Sequence, residues 1–377
     1  MNDPRQARRD PVAAADSNAD PESARPTDTR RMRRRAVINM RDARPVWEIP
    51  GWAREGIASS FPADWDVAFV ESQADGRGDG GAVSPEALAA VNGAEVYIGL
   101  GVPRDLFLAA TTPPANHLRW IHTGAAGVGS LLYPELADSG IVLTNSAGIH
   151  APAIAETALA MMLHFARGLD FAVRAQADAR WDPSPFETRV GDVTEIEGAT
   201  IGIIGFGGIG QVVARKSLAL GLNVLALRRS VRPGPDGVEL FTGPGALERL
   251  LHQSDHVVVT VPATPSTKGM LGPSEIDAMR RGSVLINVAR GEVVDEQALL
   301  AGLTTGKLRG AGLDVFATEP LPATSPLWTL PNVLITPHVS GTTPRFWLRE
   351  VELIRDNIAR YLAGRAMRNV VDKARGY

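Results

Sequence analysis

The chain contains no cysteine among its 377 residues. Disulfide bonds, thiolate nucleophiles and cysteine-ligated metals are therefore excluded, while the redox compartment stays open. The chain also lacks any run of about 18 or more apolar residues, and its N-terminus carries no apolar signal segment. We therefore expect no membrane insertion and a cytoplasmic location.

An excess of charge of either sign is also missing. The 39 Lys and Arg residues nearly balance the 42 Asp and Glu residues, which leaves a formal net charge of -3. Such a surface has no global basic field, so nucleic acid is not expected as a partner. Hydrophobic residues make up 44% of the chain, which is enough for sizeable cores, and the length predicts two domains.

Residues 1–34 mix Pro, Asp, Ala and Arg without apolar periodicity. A segment of this composition cannot offset the entropy cost of its own ordering, so we predict a disordered tail. Its last part, RRMRRR, could be a weak patch for acidic surfaces, but we interpret it as a solvated run without a function.

From residue 36 onward, short β-branched runs alternate with helical stretches, which predicts βαβ units and mostly parallel sheets. A long helical segment over residues 150–176 interrupts this alternation and is predicted to bridge two domains. A last helical stretch over residues 344–365 has apolar residues at helical spacing, and we expect it to pack back on the first domain. The prediction is an α/β fold with two doubly wound parallel-sheet domains joined by long helices.

Three glycines with the spacing GxGxxG follow the first predicted strand after the bridging segment. Gly205, Gly207 and Gly210 come directly after an apolar strand and begin a helix that ends near Gly221. In this context the first glycine makes a tight turn, the second lets amides approach a pyrophosphate, and the third allows close helix packing. The sequence therefore predicts a dinucleotide site with the phosphates over the helix N-terminus.

The residues that select between NAD and NADP follow the next strand. An NAD enzyme carries Asp or Glu there, whereas this chain has Arg228 and Arg229, with Arg232 close behind. A guanidinium fork matches the oxygens of a 2′-phosphate. We therefore predict that NADP(H) is preferred; in the alternative these arginines are solvated loop residues and NAD(H) is used.

A resemblance to a known family rests on GFGGIG at 205–210, VPATPSTKGML at 261–271, INVARGEVVDEQAL at 286–299, GAGLDVFATEPLP at 310–322 and PLWTLPNVLITPHVSG at 326–341. Together these stretches resemble the D-isomer-specific 2-hydroxyacid dehydrogenases, and the resemblance covers residues 36–375. It implies a flavodoxin-like substrate domain (residues 35–149 plus 345–377) and a Rossmann dinucleotide-binding domain (residues 150–344) that face each other across a cleft. It also implies a homodimer.

The resemblance implies a catalytic trio of Arg290, Glu319 and His338. Arg290 would hold the substrate between its carboxylate and carbonyl oxygens, because a guanidinium offers a rigid fork. His338 would carry the transferred proton, since histidine titrates near neutral pH, and Glu319 would stabilise the imidazolium.

The substrate carboxylate would also meet the backbone amides of Ala126 and Gly127 in the loop GAAGVG. Many members carry Asp where this chain has Gly129, so the rigidity of the loop is open although the amides remain. No metal-ligand spacing is present in the sequence. The predicted cofactor contacts are Gly205, Phe206, Gly207, Gly208, Ile209, Gly210, Arg228, Arg229, Val261, Pro262, Thr267, Val288, Ala289, Arg290, Asp314, His338 and Gly341.

The leading functional prediction is NAD(P)H-dependent reduction of a small 2-oxo acid, of the glyoxylate or hydroxypyruvate kind, to the D-2-hydroxy acid, and the reverse oxidation. A phosphoglycerate dehydrogenase-like enzyme is an alternative within the family. A dinucleotide-sensing, corepressor-type interaction protein is the alternative from another class. Among the other histidines, His122 and His150 are expected to be structural or solvent-facing, although they could line the cleft mouth.

Overall fold

The computed structural model describes residues 33–74, 83–114, 116–230 and 233–376. The disordered tail predicted for residues 1–34 therefore lies outside the described residues, apart from its last two. Within these ranges, no helix combines the length and the apolar character needed to cross a membrane.

The first sheet has five parallel strands in the order β2-β1-β3-β4-β5, which is the flavodoxin-like order. Its central strands β3 and β4 are buried at every position, as expected for a parallel sheet covered on both faces. The strands are Arg35–Asn39 (β1), Asp66–Phe69 (β2), Val96–Gly99 (β3), Trp120–Thr123 (β4) and Val142–Asn145 (β5). The helices that connect them are Gly51–Ala58 (α1), Pro85–Ala90 (α2), Arg104–Thr111 (α3) and Pro134–Ala137 (α4).

The bridging segment is broken where the sequence predicted one helix over residues 150–176. It forms Ala151–Ala166 (α5) and Leu169–Ala177 (α6), followed by the short helix Ser184–Thr188 (α7). Gly168 separates α5 from α6 and has φ +63°, a left-handed conformation that ends a helix and favours glycine. The prediction of a single helix was wrong because one glycine in an otherwise helical pattern is compatible with either outcome.

The second sheet has seven parallel strands in the order β12-β11-β10-β9-β6-β7-β8. This is the Rossmann order with one strand added, so the predicted fold class is confirmed. The strands are Thr200–Ile204 (β6), Asn223–Leu227 (β7), Val238–Phe241 (β8), His256–Val259 (β9), Ser283–Asn287 (β10), Leu308–Leu313 (β11) and Val333–Ile335 (β12). The helices between them are Gly208–Ala219 (α8), Ala246–Gln253 (α9), Pro273–Ala278 (α10) and Glu296–Thr304 (α11).

The last helix, Phe346–Leu362 (α12), returns to the first sheet. Its buried residues Phe346, Val351 and Ile354 belong to the same core cluster as Ile38 of β1 and Ile57 of α1. The chain after α12 pairs with β5 through an antiparallel bridge between Thr144 and Val370. The domain boundaries predicted at residues 149 and 345 stay a prediction, but the end of the chain is part of the first core.

Candidate active site

The turn between β6 and α8 and the first turn of α8 carry the glycines of the predicted dinucleotide site, together with Phe206, Gly208 and Ile209. Gly205 has φ +102°, and a Cβ there would press on the backbone of Thr260 and Val261. At Gly210 a Cβ would collide with the Gly205 carbonyl. Glycine is thus required at both positions for the turn to stay this tight.

Gly207, the N-cap residue of α8, has a different environment. Its φ is -88°, and a Cβ added there would meet no protein atom within 4 Å. This open space borders the N-terminus of a helix of 12 residues, where backbone amides and the helix dipole favour an anion. The residues of the turn therefore fit the pyrophosphate of a dinucleotide.

The other residues predicted to contact the cofactor follow neighbouring strands at the same edge of the sheet. Arg228 directly follows β7, and its amide donates to the Phe241 carbonyl at 3.1 Å. Arg229 is exposed, whereas Arg232 lies outside the described residues. The two described arginines stand where the ribose end of a dinucleotide is expected.

The loop after β9 contains Val261, Pro262 and Thr267. The Thr267 hydroxyl donates to the Pro262 carbonyl at 2.6 Å and accepts from the Thr264 amide at 2.8 Å. These bonds close the loop on itself. A Cβ added at Gly205 would collide with Val261, so the loop lies against the glycine turn.

Arg290 follows β10 after two buried residues, Val288 and Ala289. Asn287 shapes this turn, because its side chain accepts from the Ala289 amide at 3.1 Å and donates to the Arg290 carbonyl at 3.0 Å. The Arg290 guanidinium occupies the space that a side chain at Gly127 would need. The structure thus brings the predicted arginine of one sheet against the predicted amide loop of the other.

The loop that carries His338 is held by one buried carboxylate. Asp314, which directly follows β11, accepts from the Thr336 hydroxyl at 2.6 Å, the Val339 amide at 2.9 Å and the Ser340 amide at 3.0 Å. The His338 amide donates to the Asp314 carbonyl at 2.8 Å. In this structure Asp314 is fully buried and organises the histidine loop; its contact with the cofactor stays a prediction.

His338 and Glu319 form a hydrogen-bonded pair. The distance from His338 Nδ1 to Glu319 Oε2 is 2.7 Å, and the other carboxylate oxygen accepts from the Phe316 amide at 2.9 Å. His338 has φ +55°, a conformation that costs energy for a residue with a side chain and is found at functional sites. Since Nδ1 faces Glu319, Nε2 is the nitrogen left to serve a substrate.

Two other histidines have structural positions. His150 precedes α5, and its Nδ1 lies 3.2 Å from the carbonyl of Gly341, a predicted cofactor contact, while burial lowers its pKa. His122 in β4 is fully buried and lies 3.1 Å from Glu350 of α12. Sequence reasoning missed Glu350, although a carboxylate on the apolar face of an amphipathic helix was a detectable signal.

The fold and these residues define a dinucleotide-dependent oxidoreductase: a glycine turn of Rossmann type, an arginine, and a hydrogen-bonded histidine and glutamate all follow strands at one edge of the second sheet. Comparison with known proteins agrees. Residues 159–340 match the model of the D-isomer specific 2-hydroxyacid dehydrogenase NAD-binding domain. A glyoxylate/hydroxypyruvate reductase B of Yersinia enterocolitica is 34% identical over 290 residues, which cover 76% of this chain and 87% of that protein.

Solved structures with the same fold include complexes with NADPH and with NADP. A D-isomer specific 2-hydroxyacid dehydrogenase from Xanthobacter autotrophicus, in complex with NADPH, is 30% identical and superposes with a TM-score of 0.72 over 91% of this chain and 99% of its own. An NADPH-dependent glyoxylate/hydroxypyruvate reductase from Sinorhizobium meliloti, in complex with NADP, is 27% identical with a TM-score of 0.71 over 91% and 100%. The chain belongs to the D-isomer-specific 2-hydroxyacid dehydrogenase family.

Substituting Gly207 tests the assignment of the phosphate site. Gly207→Ala should weaken NADPH binding about tenfold or more, because the methyl group displaces the pyrophosphate from charge-assisted hydrogen bonds. The melting temperature should stay unchanged, since the added Cβ meets no protein atom within 4 Å. NADPH titration by calorimetry and thermal unfolding measure the two effects.

Gly140→Ala is the matched control, because that glycine also has open space but lies in the turn before β5. It should change neither quantity. Unaltered NADPH affinity in Gly207→Ala would place the pyrophosphate elsewhere.

Proposed function

We propose that the enzyme reduces small 2-oxo acids of the glyoxylate and hydroxypyruvate kind with NADPH, giving the D-2-hydroxy acid where the product is chiral. The observation that carries the proposal is the contact of the Arg290 guanidinium with Gly127, at the sheet edge that also bears the hydrogen-bonded His338 and Glu319. The names of the relatives in Yersinia and Sinorhizobium support this substrate class. They also favour an enzyme over a dinucleotide sensor.

Each residue of the site serves one need of the reduction. The nicotinamide, when bound, supplies the hydride. Arg290 is permanently charged and holds the substrate by its carboxylate and carbonyl oxygens, together with the amides of Ala126 and Gly127. His338 donates the proton that the carbonyl oxygen requires, from Nε2, while Glu319 at 2.7 Å from Nδ1 stabilises the imidazolium before transfer.

The preference for NADPH rests on Arg228 and Arg229. Both stand at the end of β7, where an NAD enzyme carries a carboxylate for the ribose hydroxyl. A guanidinium instead complements the doubly charged 2′-phosphate. The relatives solved with NADPH and NADP support the same preference, and the contacts expected at Val261, Thr267 and the other cofactor residues are part of this proposal.

The homodimer is proposed on an exposed apolar segment that begins in α6, the second helix of the bridging segment. Val173 of α6 is 57% exposed, Trp181 99% and Val190 95%. Large apolar side chains this exposed within one segment are typical of an interface. We propose that a second copy covers residues 169–190, and that the enzyme works in the cytoplasm.

Arg290→Ala should lower kcat/KM for glyoxylate by about two orders of magnitude, within the ~2–5 kcal/mol typical of truncating one partner of a desolvated charge pair. Arg290→Lys should recover only part of the loss, because an ammonium cannot form the fork. Steady-state kinetics at saturating NADPH measure both. Near wild-type efficiency in Arg290→Ala would refute the role of this residue.

Arg228→Gln should raise the KM for NADPH about 10- to 100-fold, because a hydrogen bond to a charged group is worth ~1.5–3 kcal/mol. The KM for NADH should change little, since NADH lacks the 2′-phosphate. Arg215→Gln, on the exposed face of α8, is the matched control. If wild-type enzyme uses NADH as efficiently as NADPH, the cofactor preference is wrong while the reaction class stands.

Trp181→Glu should convert the dimer into a monomer at micromolar concentration, because a charge would be buried in the interface. Sedimentation equilibrium gives the mass. Trp52→Glu, which changes a tryptophan of α1 that is 48% exposed, should leave the dimer intact. A wild-type monomer would contradict the proposed interface directly.

A further inference from the structure

A cluster of polar side chains is fully buried beneath the substrate loop, residues 124–129. Its members have no exposed surface, although apolar residues usually fill such positions. They come from β4, β5, the turn after β5, and α12, so they lie between the first sheet and the last helix. The members are His122, Thr144, Ser146 and Glu350.

Glu350 Oε1 is the shared acceptor of this cluster. The Ser146 hydroxyl donates to it at 2.9 Å, and His122 Nε2 lies 3.1 Å away. The other ring nitrogen of His122 lies 2.9 Å from the Thr144 hydroxyl oxygen. Each group therefore has a partner within the cluster, and the carboxylate is what joins Ser146 to His122.

The cluster is connected to the backbone of the substrate loop. The Ser146 hydroxyl lies 3.0 Å from the Thr123 carbonyl, and its amide donates to the Ala125 carbonyl at 3.1 Å. The neighbouring Asn145 side chain donates to the Ala126 carbonyl at 2.7 Å. Two consecutive carbonyls of the loop, those of Ala125 and Ala126, are thus held by two adjacent residues beneath it.

These anchors determine where the amides of the loop point. In a trans peptide the carbonyl and the following N–H lie on opposite sides of the chain. With the Ala125 and Ala126 carbonyls bound to Ser146 and Asn145, the N–H groups of Ala126 and Gly127 face away from the anchors. Those are the two amides proposed to bind the substrate carboxylate, next to the Arg290 guanidinium.

Glu350 also lies directly under the start of the loop. A side chain added at Gly124 would stand 3.6 Å from Glu350 Oε1. Burial of a carboxyl group and a histidine costs desolvation free energy, and apolar residues of similar volume are often more stabilising. Hydrogen bonds, unlike apolar contacts, fix direction as well as distance.

We propose that Glu350 is a positioning residue for substrate binding: through Ser146 and with His122, it holds the loop so that the Ala126 and Gly127 amides meet the substrate carboxylate. The inference rests on the proposed role of this loop. Glu350 takes no part in hydride or proton transfer, since it lies beneath the loop and not at its open face. Its loss therefore weakens the binding of carboxylates and spares the chemical step.

The test compares Glu350→Leu, Glu350→Gln and the matched control Glu352→Leu, an exposed position on the same helix. Two quantities report carboxylate binding: the KM for glyoxylate, and the Kd of oxamate, an unreactive mimic of a 2-oxo acid, for the enzyme with NADPH. Glu350→Leu should raise both about tenfold, because Ser146 and His122 lose their acceptor. The kcat should stay within about twofold, and the Kd of NADPH should not change.

Glu350→Gln should behave like the wild type, because the amide retains an oxygen in the place of Oε1. Glu352→Leu should change nothing. A Glu350→Leu enzyme that loses only thermal stability or kcat, with unchanged KM and oxamate affinity, would overturn the proposal. Equal damage from Gln and Leu would overturn it too, because the hydrogen bonds would then not be what matters.

Ser146→Ala provides a second route if Glu350→Leu does not fold. It removes a single hydroxyl from the connection and should raise the KM and the oxamate Kd severalfold in parallel; unchanged values would overturn the proposal.

Oxamate binding and turnover distinguish a failure of the positioning role from a failure of the proposed function. Turnover without any oxamate affinity overturns the assignment of the substrate loop. Oxamate affinity that depends on Glu350, without turnover of 2-oxo acids, overturns only the proposed reaction.

Discussion

The contact between the Arg290 guanidinium and Gly127 joins the two halves of the site. It arises because all strands of a parallel sheet end at one edge, so the loops after β4 and β10 can meet only if the two sheets present those edges to each other. The same constraint puts the glycine turn after β6 and the histidine loop after β12 beside them. Every group that we propose to contact the substrate or the cofactor follows the carboxyl end of a strand.

The loop that carries His338 and the substrate loop are both held by hydrogen bonds to polar groups beneath them. The two domains form these bonds in similar ways. In the second domain the buried carboxylate of Asp314 binds the amides of Val339 and Ser340 and so fixes His338. In the first domain Ser146 binds the substrate loop and is itself bound by Glu350. In both cases a buried carboxyl group lies beneath a loop that we propose to meet the substrate, and its oxygens can accept several hydrogen bonds at once.

Much of this could be predicted from the sequence, because it depends on local patterns. The alternation of strands and helices, the glycine spacing and the position of Arg290 after an apolar strand are all properties of short segments. The helix break at Gly168 could not be predicted, since a single glycine is tolerated within helices. The pairing of His122 with Glu350 could not either, because 228 positions separate them in the chain and no local pattern reports a contact at that range.

Helix α12 explains how that distant pairing becomes useful. The helix begins five residues after Gly341, at the end of the histidine loop, and packs against the first core, so it belongs to both halves of the site. Arg349 on α12 donates to the Ile149 carbonyl at 3.0 Å, and the adjacent His150 lies 3.2 Å from the Gly341 carbonyl. The next residue of α12, Glu350, accepts from the Ser146 hydroxyl beneath the substrate loop. One helix therefore connects the loop to which we assign the proton donor with the loop to which we assign the substrate carboxylate.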